Sequence, residues 1–291
     1  MTGKAGSCRL PDGRRLGYAE CGAPHGRLVL YCHGFPGSRL EARLAQDAAA
    51  ALGVRLIAPD RPGFGTSDPA PERRLTDWPA DLAVLADHLG IERFHLIGVS
   101  GGGPYALACA AALEPRLEAV AVVCGLGELA AHASYAGMAW PIREALQFTR
   151  QLPQIADWVY GHLAGPALGA HPEMLFRIMS GGLPPVDQEV LDDPEVHAAI
   201  LASYAEVFRQ GSAGAVQELH IYTHPWNVTL TDIRVPVQLW HGEADTIVPV
   251  AMGRYHAAVV PGCRASFLPG EGHFSLVVRH MSAILRQLVG A

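Results

Sequence analysis

A serine hydroxyl near neutral pH is a poor nucleophile, and it becomes a useful one when a base takes its proton and an acid orients that base. This chain carries all three residue types where a fold could collect them. Ser100 stands in Gly98-Val99-Ser100-Gly101-Gly102, a G-x-S-x-G pattern that directly follows the apolar run Phe94–Val99 and leads into a helix-forming stretch with Pro104 near its start. A serine on so sharp a strand-to-helix turn has strained backbone angles, and neighbouring chains crowd two residues to either side. Gly98 and Gly102 remove the side chains that would clash there. His273, in Gly270-Glu271-Gly272-His273-Phe274, can supply the base. Asp245, in Trp240-His241-Gly242-Glu243-Ala244-Asp245, can supply the orienting acid, with Glu243 and Glu128 as rivals. An oxyanion formed at an attacked carbonyl needs two fixed N–H donors. Gly101 offers one and Phe35 the other, in the loop His33-Gly34-Phe35-Pro36-Gly37, where Pro36 has no N–H to give.

These residues must be carried by something. Residues 7–10 and 14–20 read as a hairpin around Pro11-Asp12-Gly13. Short apolar runs at 28–32, 55–59, 94–99, 117–124, 235–240 and 264–268 alternate with helical patterns. Ser38 is placed to cap an Ala-rich helix, and Thr76 a helix reaching Leu89. A last helix is expected over 275–289. Nearly continuous apolar strands separated by helices imply an α/β architecture, a mostly parallel sheet covered on both faces. Ser100, Asp245 and His273 each fall just past a strand, at the carboxyl edge where such sheets bind ligands.

Residues 127–231 break this rhythm with eight prolines, Pro141 to Pro225. They hold 4 Arg against 11 Asp and Glu, while the whole 291-residue chain sums to −6, so the rest is close to neutral. An acidic, mostly helical, aromatic-rich insertion after the sixth strand is expected to form a cap over the site, leaving 1–126 and 232–291 as the core domain. Trp140 and Trp158 are candidate substrate-lining residues, and Trp226 reads equally as lining or core. The acidic run 186–196 reads as a solvated face. His220 and His224, four apart, lack a third ligand, so no metal site is expected.

Composition excludes several classes. Charged residues make up 17% and hydrophobic ones 49%, enough for a large core. No basic cluster suggests nucleic acid, and no apolar run of 18 residues suggests a membrane span. Six scattered cysteines without C-x-x-C, and no apolar leader at the start, point to free thiols and a cytoplasmic location. A small molecule is the expected partner. The oligomeric state, a homo-oligomer included, stays open.

His33-Gly34-Phe35-Pro36-Gly37, Asp60-Arg61-Pro62-Gly63-Phe64-Gly65-Thr66-Ser67, Gly98–Gly102, Asp245 and Gly272-His273 together resemble, in order, the motifs of the α/β-hydrolase fold superfamily. The resemblance covers 7–126 and 232–290 and implies a serine nucleophile with a Ser100/Asp245/His273 triad. It also implies that His33 stabilises a loop and does not catalyse, and that the activity is cofactor-free cleavage of a carboxylic ester. Epoxide hydrolases and haloalkane dehalogenases of the superfamily carry Asp as nucleophile, which Ser100 disfavours. Non-hydrolytic chemistry on the same triad (perhydrolysis, carbon–carbon cleavage or cofactor-free oxygenation) is the alternative, and a ligand-binding receptor is a third reading.

Overall fold

A computed structural model describes residues 4–129 and 135–290. Eight strands form one sheet: β1 Lys4–Arg9, β2 Arg15–Gly22, β3 Arg27–Cys32, β4 Val54–Pro59, β5 Phe94–Val99, β6 Leu117–Val123, β7 Val237–Gly242 and β8 Arg264–Leu268. The order is β1-β2-β4-β3-β5-β6-β7-β8, antiparallel at β1/β2 and β2/β4 and parallel from there on. Because side chains alternate along a strand, each apolar strand feeds both faces. Leu30, Cys32 and Leu96 join a core with Leu82, Leu85 and Tyr105. Val29, Tyr31, Ile97 and Val99 join a second core with Ala45, Ala49, Met281 and Leu285.

The helices are α1 Gln46–Ala51, α2 Trp78–His88, α3 Gly103–Ala112, α4 Trp140–Gln151, α5 Pro153–Val159, α6 Gly165–Ala170, α7 Pro172–Ser180, α8 Pro185–Leu191, α9 Pro194–Val207, α10 Ala213–Thr223, α11 Val250–Val259 and α12 His273–Val289. Among the described residues, six of the seven α-helices between β6 and β7 have a proline in their first turn, where its missing N–H costs nothing. No helix among the described residues is long and apolar enough to cross a membrane. All six thiols are free.

Three local expectations shift. Ser38 does cap, accepting the Leu40 N–H at 3.3 Å, but residues 39–45 wind as a 3₁₀ helix before α1. Thr76 caps nothing: the Asp77 carboxylate accepts the Arg74 N–H at 2.8 Å and α2 starts at Trp78. The last helix begins at His273, two residues early, because a carboxylate from α8 satisfies its first N–H groups.

A fully buried ionic cluster ties α10 to the sheet. Arg61, just after β4, binds the carbonyls of His33 and Gly34, the latter at 2.9 Å, and pairs at 2.9 Å with Glu218 of α10. Glu218 also pairs with Arg73 and accepts from Tyr105, at 2.9 Å, and Tyr222, at 2.5 Å. Burial opposes the Glu218 charge, but the two guanidinium groups hold its carboxyl below the usual range. Breaking a buried pair from one side leaves an uncompensated charge, here two of them. Glu218→Ala is expected to lower the unfolding free energy by about 3–5 kcal/mol in urea titrations; a loss under about 1 kcal/mol would contradict the dependence on this cluster.

Candidate active site

Ser100 has φ +54°, the left-handed region that a side chain rarely adopts. The chain around it permits no alternative. A Cβ on Gly98 would lie 2.4 Å from the Gly102 carbonyl oxygen and 2.6 Å from Ala106, and one on Gly102 would lie 2.1 Å from the Cys32 carbonyl oxygen. Those backbones cannot yield, so the turn between β5 and α3 stays tight and Ser100 is presented at the end of the strand. Gly101 is flanked just as closely, with Tyr222 and Phe35 against it. The Tyr222 hydroxyl lies 3.0 Å from the Gly101 carbonyl oxygen. Phe35 and Gly101, the two expected oxyanion donors, are therefore neighbours, and the Arg61 guanidinium fixes the loop carrying Phe35 through its two preceding carbonyls.

His33 sits beneath this loop as structure. Its Nδ1 lies 2.9 Å from the Gly34 carbonyl oxygen and its Nε2 accepts the Arg61 N–H at 3.2 Å. Burial, with Arg61 beside it, pushes its pKa well down, so it stays neutral.

His273 and Asp245 meet. The ring Nδ1 is 2.7 Å from Asp245 Oδ2, while Asp245 Oδ1 accepts the N–H groups of Ile247 and Val248, each at 2.9 Å. Burial works against the charge of Asp245, yet His273 and these donors keep its carboxyl below the usual range. Burial likewise opposes a charged His273 ring, but Asp245, Asp187 and Glu41 around it raise its pKa above the ordinary value. The rival acids stand elsewhere. Glu243 pairs with Arg254 at 2.9 Å, and Glu128 accepts the Trp226 N–H at 3.0 Å. Ser100 and His273 line one chamber of about 40 Å³ without a hydrogen bond between them, a contact commonly long in unliganded enzymes.

Asp187 was expected on a solvated face. It is fully buried instead, and it accepts from the N–H groups of His273, at 2.9 Å, and Ser275, at 2.8 Å. An anion at a helix N-terminus satisfies N–H groups that have no partner within the helix. The carboxylate comes so close that a Cβ on Gly272 would lie 2.3 Å from it. The available signal was the start of α12, where Gly272 offers no side-chain acceptor and another segment must supply one. Glu41 was also missed. It accepts the Gly34 N–H at 2.9 Å and the Tyr31 hydroxyl at 2.9 Å, and lines the chamber with Ser100 and His273.

A second cavity of about 680 Å³ opens from Ser100, Gly101 and Phe35 toward α4, α6, α7 and α10. Trp140 lines it, although 69% exposed. Trp158 does not: α5 turns it outward, 56% exposed and stacked on His162. Trp226 is core. His220 bonds Asp157 at 2.5 Å, with His224 turned onto the His220 carbonyl. Cys124, His241 and Asp245 bring three ligand-type atoms within 4.8 Å, but Asp245 is already committed to His273 and two amides, and His241 Nε2 to the Val248 carbonyl at 2.8 Å.

The family model described as alpha/beta hydrolase fold matches residues 27–279. The chain belongs to this family. Over 109 residues it is 34% identical to a proline iminopeptidase of Xanthomonas citri, a match covering 36% of this chain and 34% of the relative. The chain thus spans about a third of that relative's length. Epoxide hydrolase A of Mycobacterium tuberculosis is 28% identical, with 91% of both chains covered. The crystal structure of a bromoperoxidase from Bacillus anthracis superposes with a TM-score of 0.74 at 17% identity, covering 98% of this chain and 99% of that one, which shows the shared fold.

In this α/β hydrolase, ¹³C-detected histidine titration is expected to show His273 with a midpoint above about 6.5. Asp245→Asn removes the dominant raising charge and must move that midpoint down; an unmoved midpoint would break the pairing. Asp187→Ala is expected to lower stability by about 1–2 kcal/mol in thermal or urea melts, the scale of a lost helix cap.

Proposed function

We propose that the protein is a serine hydrolase that cleaves carboxylic esters with a largely apolar acyl part, through Ser100, His273 and Asp245. The 2.7 Å contact between His273 Nδ1 and Asp245 Oδ2 carries this reading, because it leaves Nε2 as the free base in the chamber that Ser100 shares. His273 takes the hydroxyl proton as Ser100 Oγ adds to the ester carbonyl, and Asp245 holds the tautomer and stabilises the imidazolium. The Phe35 and Gly101 amides receive the oxyanion. The imidazolium then protonates the leaving alcohol, giving an acyl-serine that water hydrolyses with His273 again as base.

Substrate class is argued from the large cavity. Its wall is built from side chains such as Ile142, Leu146, Phe148, Leu175 and Leu219, and among the described residues Glu144 is the one charged lining residue. An uncharged acyl chain is favoured there by burial. Epoxide hydrolases of the family use an Asp where Ser100 stands. We read helices α4–α10, within 127–231, as the cap that shapes the acyl site.

Nitrophenyl esters of increasing acyl length, together with a serine-directed phosphonate, test this. Ser100→Ala is expected to lower turnover by about 10⁴-fold or more and to abolish labelling. Turnover near the wild-type level in that variant would remove the assignment.

A further inference from the structure

Ser100 lines two cavities of very different size: the acyl-sized one and the chamber of about 40 Å³ that it shares with His273 and Glu41. The small chamber is closed otherwise mainly by apolar side chains such as Leu44, Ile200 and Phe274. Its volume exceeds the roughly 10–15 Å³ that one water needs and is too small for an acyl chain, and a buried water needs two to four polar partners. The nucleophile, the base and a carboxylate offer them.

The carboxylate is rigidly set. Glu41 Oε1 takes the Tyr31 hydroxyl and the Gly34 N–H, while Oε2 shares that N–H at 3.0 Å and keeps further acceptor capacity. The space that a side chain on Gly34 would fill lies 3.0 Å from Glu41 Oε2 and 3.3 Å from Ser100 Cβ. On Gly37 a Cβ would lie 2.7 Å from the same oxygen. Both glycines of the loop thus make room for one carboxylate facing the serine, and the mechanism of ester attack by itself gives that carboxylate no task.

We infer that the chamber bounded by Glu41, His273 and Ser100 is the binding site of the hydrolytic water, held by the Glu41 carboxylate. This rests on the serine-hydrolase reading above. Once the alcohol has left, the water donates one hydrogen bond to Glu41 and presents its other O–H to His273 Nε2. The imidazole takes that proton as the water oxygen bonds to the acyl carbonyl carbon. The tetrahedral intermediate then collapses, the bond to Ser100 Oγ breaks, and the serine oxygen recovers the proton from the imidazolium. A carboxylic acid leaves. Glu41 is neither oxidised nor acylated; it fixes the water's position and orientation, and a misplaced nucleophile costs about 10²-fold.

The role predicts a defect confined to the second half-reaction. In stopped-flow cleavage of a nitrophenyl ester of a medium-chain acid, Glu41→Gln should release nitrophenol in a burst within about threefold of the wild-type acylation rate. Its steady state should then be about 10–100-fold slower. Intact mass should show acyl-Ser100 accumulating, and added hydroxylamine, a nucleophile that needs no such anchoring, should discharge it. Leu44→Phe, which fills the chamber with Glu41 in place, should give the same split and decides the matter if Glu41→Gln does not fold. Burst and steady state falling together in the variants would mean that Glu41 only props the oxyanion loop, and unchanged kinetics would mean no role at all; either overturns the inference. Phosphonate labelling of wild-type Ser100 separates the two levels: labelling with no selective deacylation defect refutes only the water site, whereas no labelling and no turnover refutes the hydrolase reading with it.

Discussion

A serine held in left-handed backbone between two strand ends is the constraint on which the rest of this molecule is organised. At φ +54° the residue sits where sterics disfavour any side chain, so its neighbours must over-determine it. They do so with backbone, the one material that cannot swing aside: the carbonyls of Gly102 and Cys32 stand where Cβ atoms of Gly98 and Gly102 would be. The parallel strands β3 and β5 therefore have to run side by side, with Cys32 opposite Gly98, for the elbow to exist.

Around that point, polar groups that burial would penalise are satisfied in pairs from different parts of the chain. Arg61 holds the loop of Phe35 from below and is neutralised by Glu218 of α10. Asp187 of α8 satisfies the start of α12, the helix whose first residue is His273. Tyr222 reaches the Gly101 carbonyl. The helices between β6 and β7 consequently do more than shape an apolar cavity. They contribute the counter-charge of the Arg61 that holds the loop of Phe35 and the acceptor that fixes the helix of His273, so docking of this segment and the geometry around Ser100 and His273 are a single property.

Several of these features could be read along the chain. Strands β3 to β8 show as short apolar runs because a sheet covered on both faces leaves few polar positions, and β1 and β2 show as a hairpin around Pro11-Asp12-Gly13. Gly98, Ser100 and Gly102 announce a strained turn because the strain is local. Other features could not be read. The acids of 186–196 look alike in sequence, and nothing near Asp187 says that it, and not its neighbours, turns inward. Glu41 sits in an ordinary-looking helix start. Trp140 and Trp158 are equivalent by composition, yet the winding of α4 and α5 sends one to the cavity and the other to solvent.

Sequence alone determined the sheet, the elbow and the chemical kinds needed at its edge, since each follows from spacings of a few residues and from steric rules that hold in any context. Tertiary structure alone decided which carboxylate caps the helix of His273 and which faces Ser100. Those pairings join groups up to 88 residues apart in the chain, and they are settled by where low-dielectric burial forces each charge to find a partner.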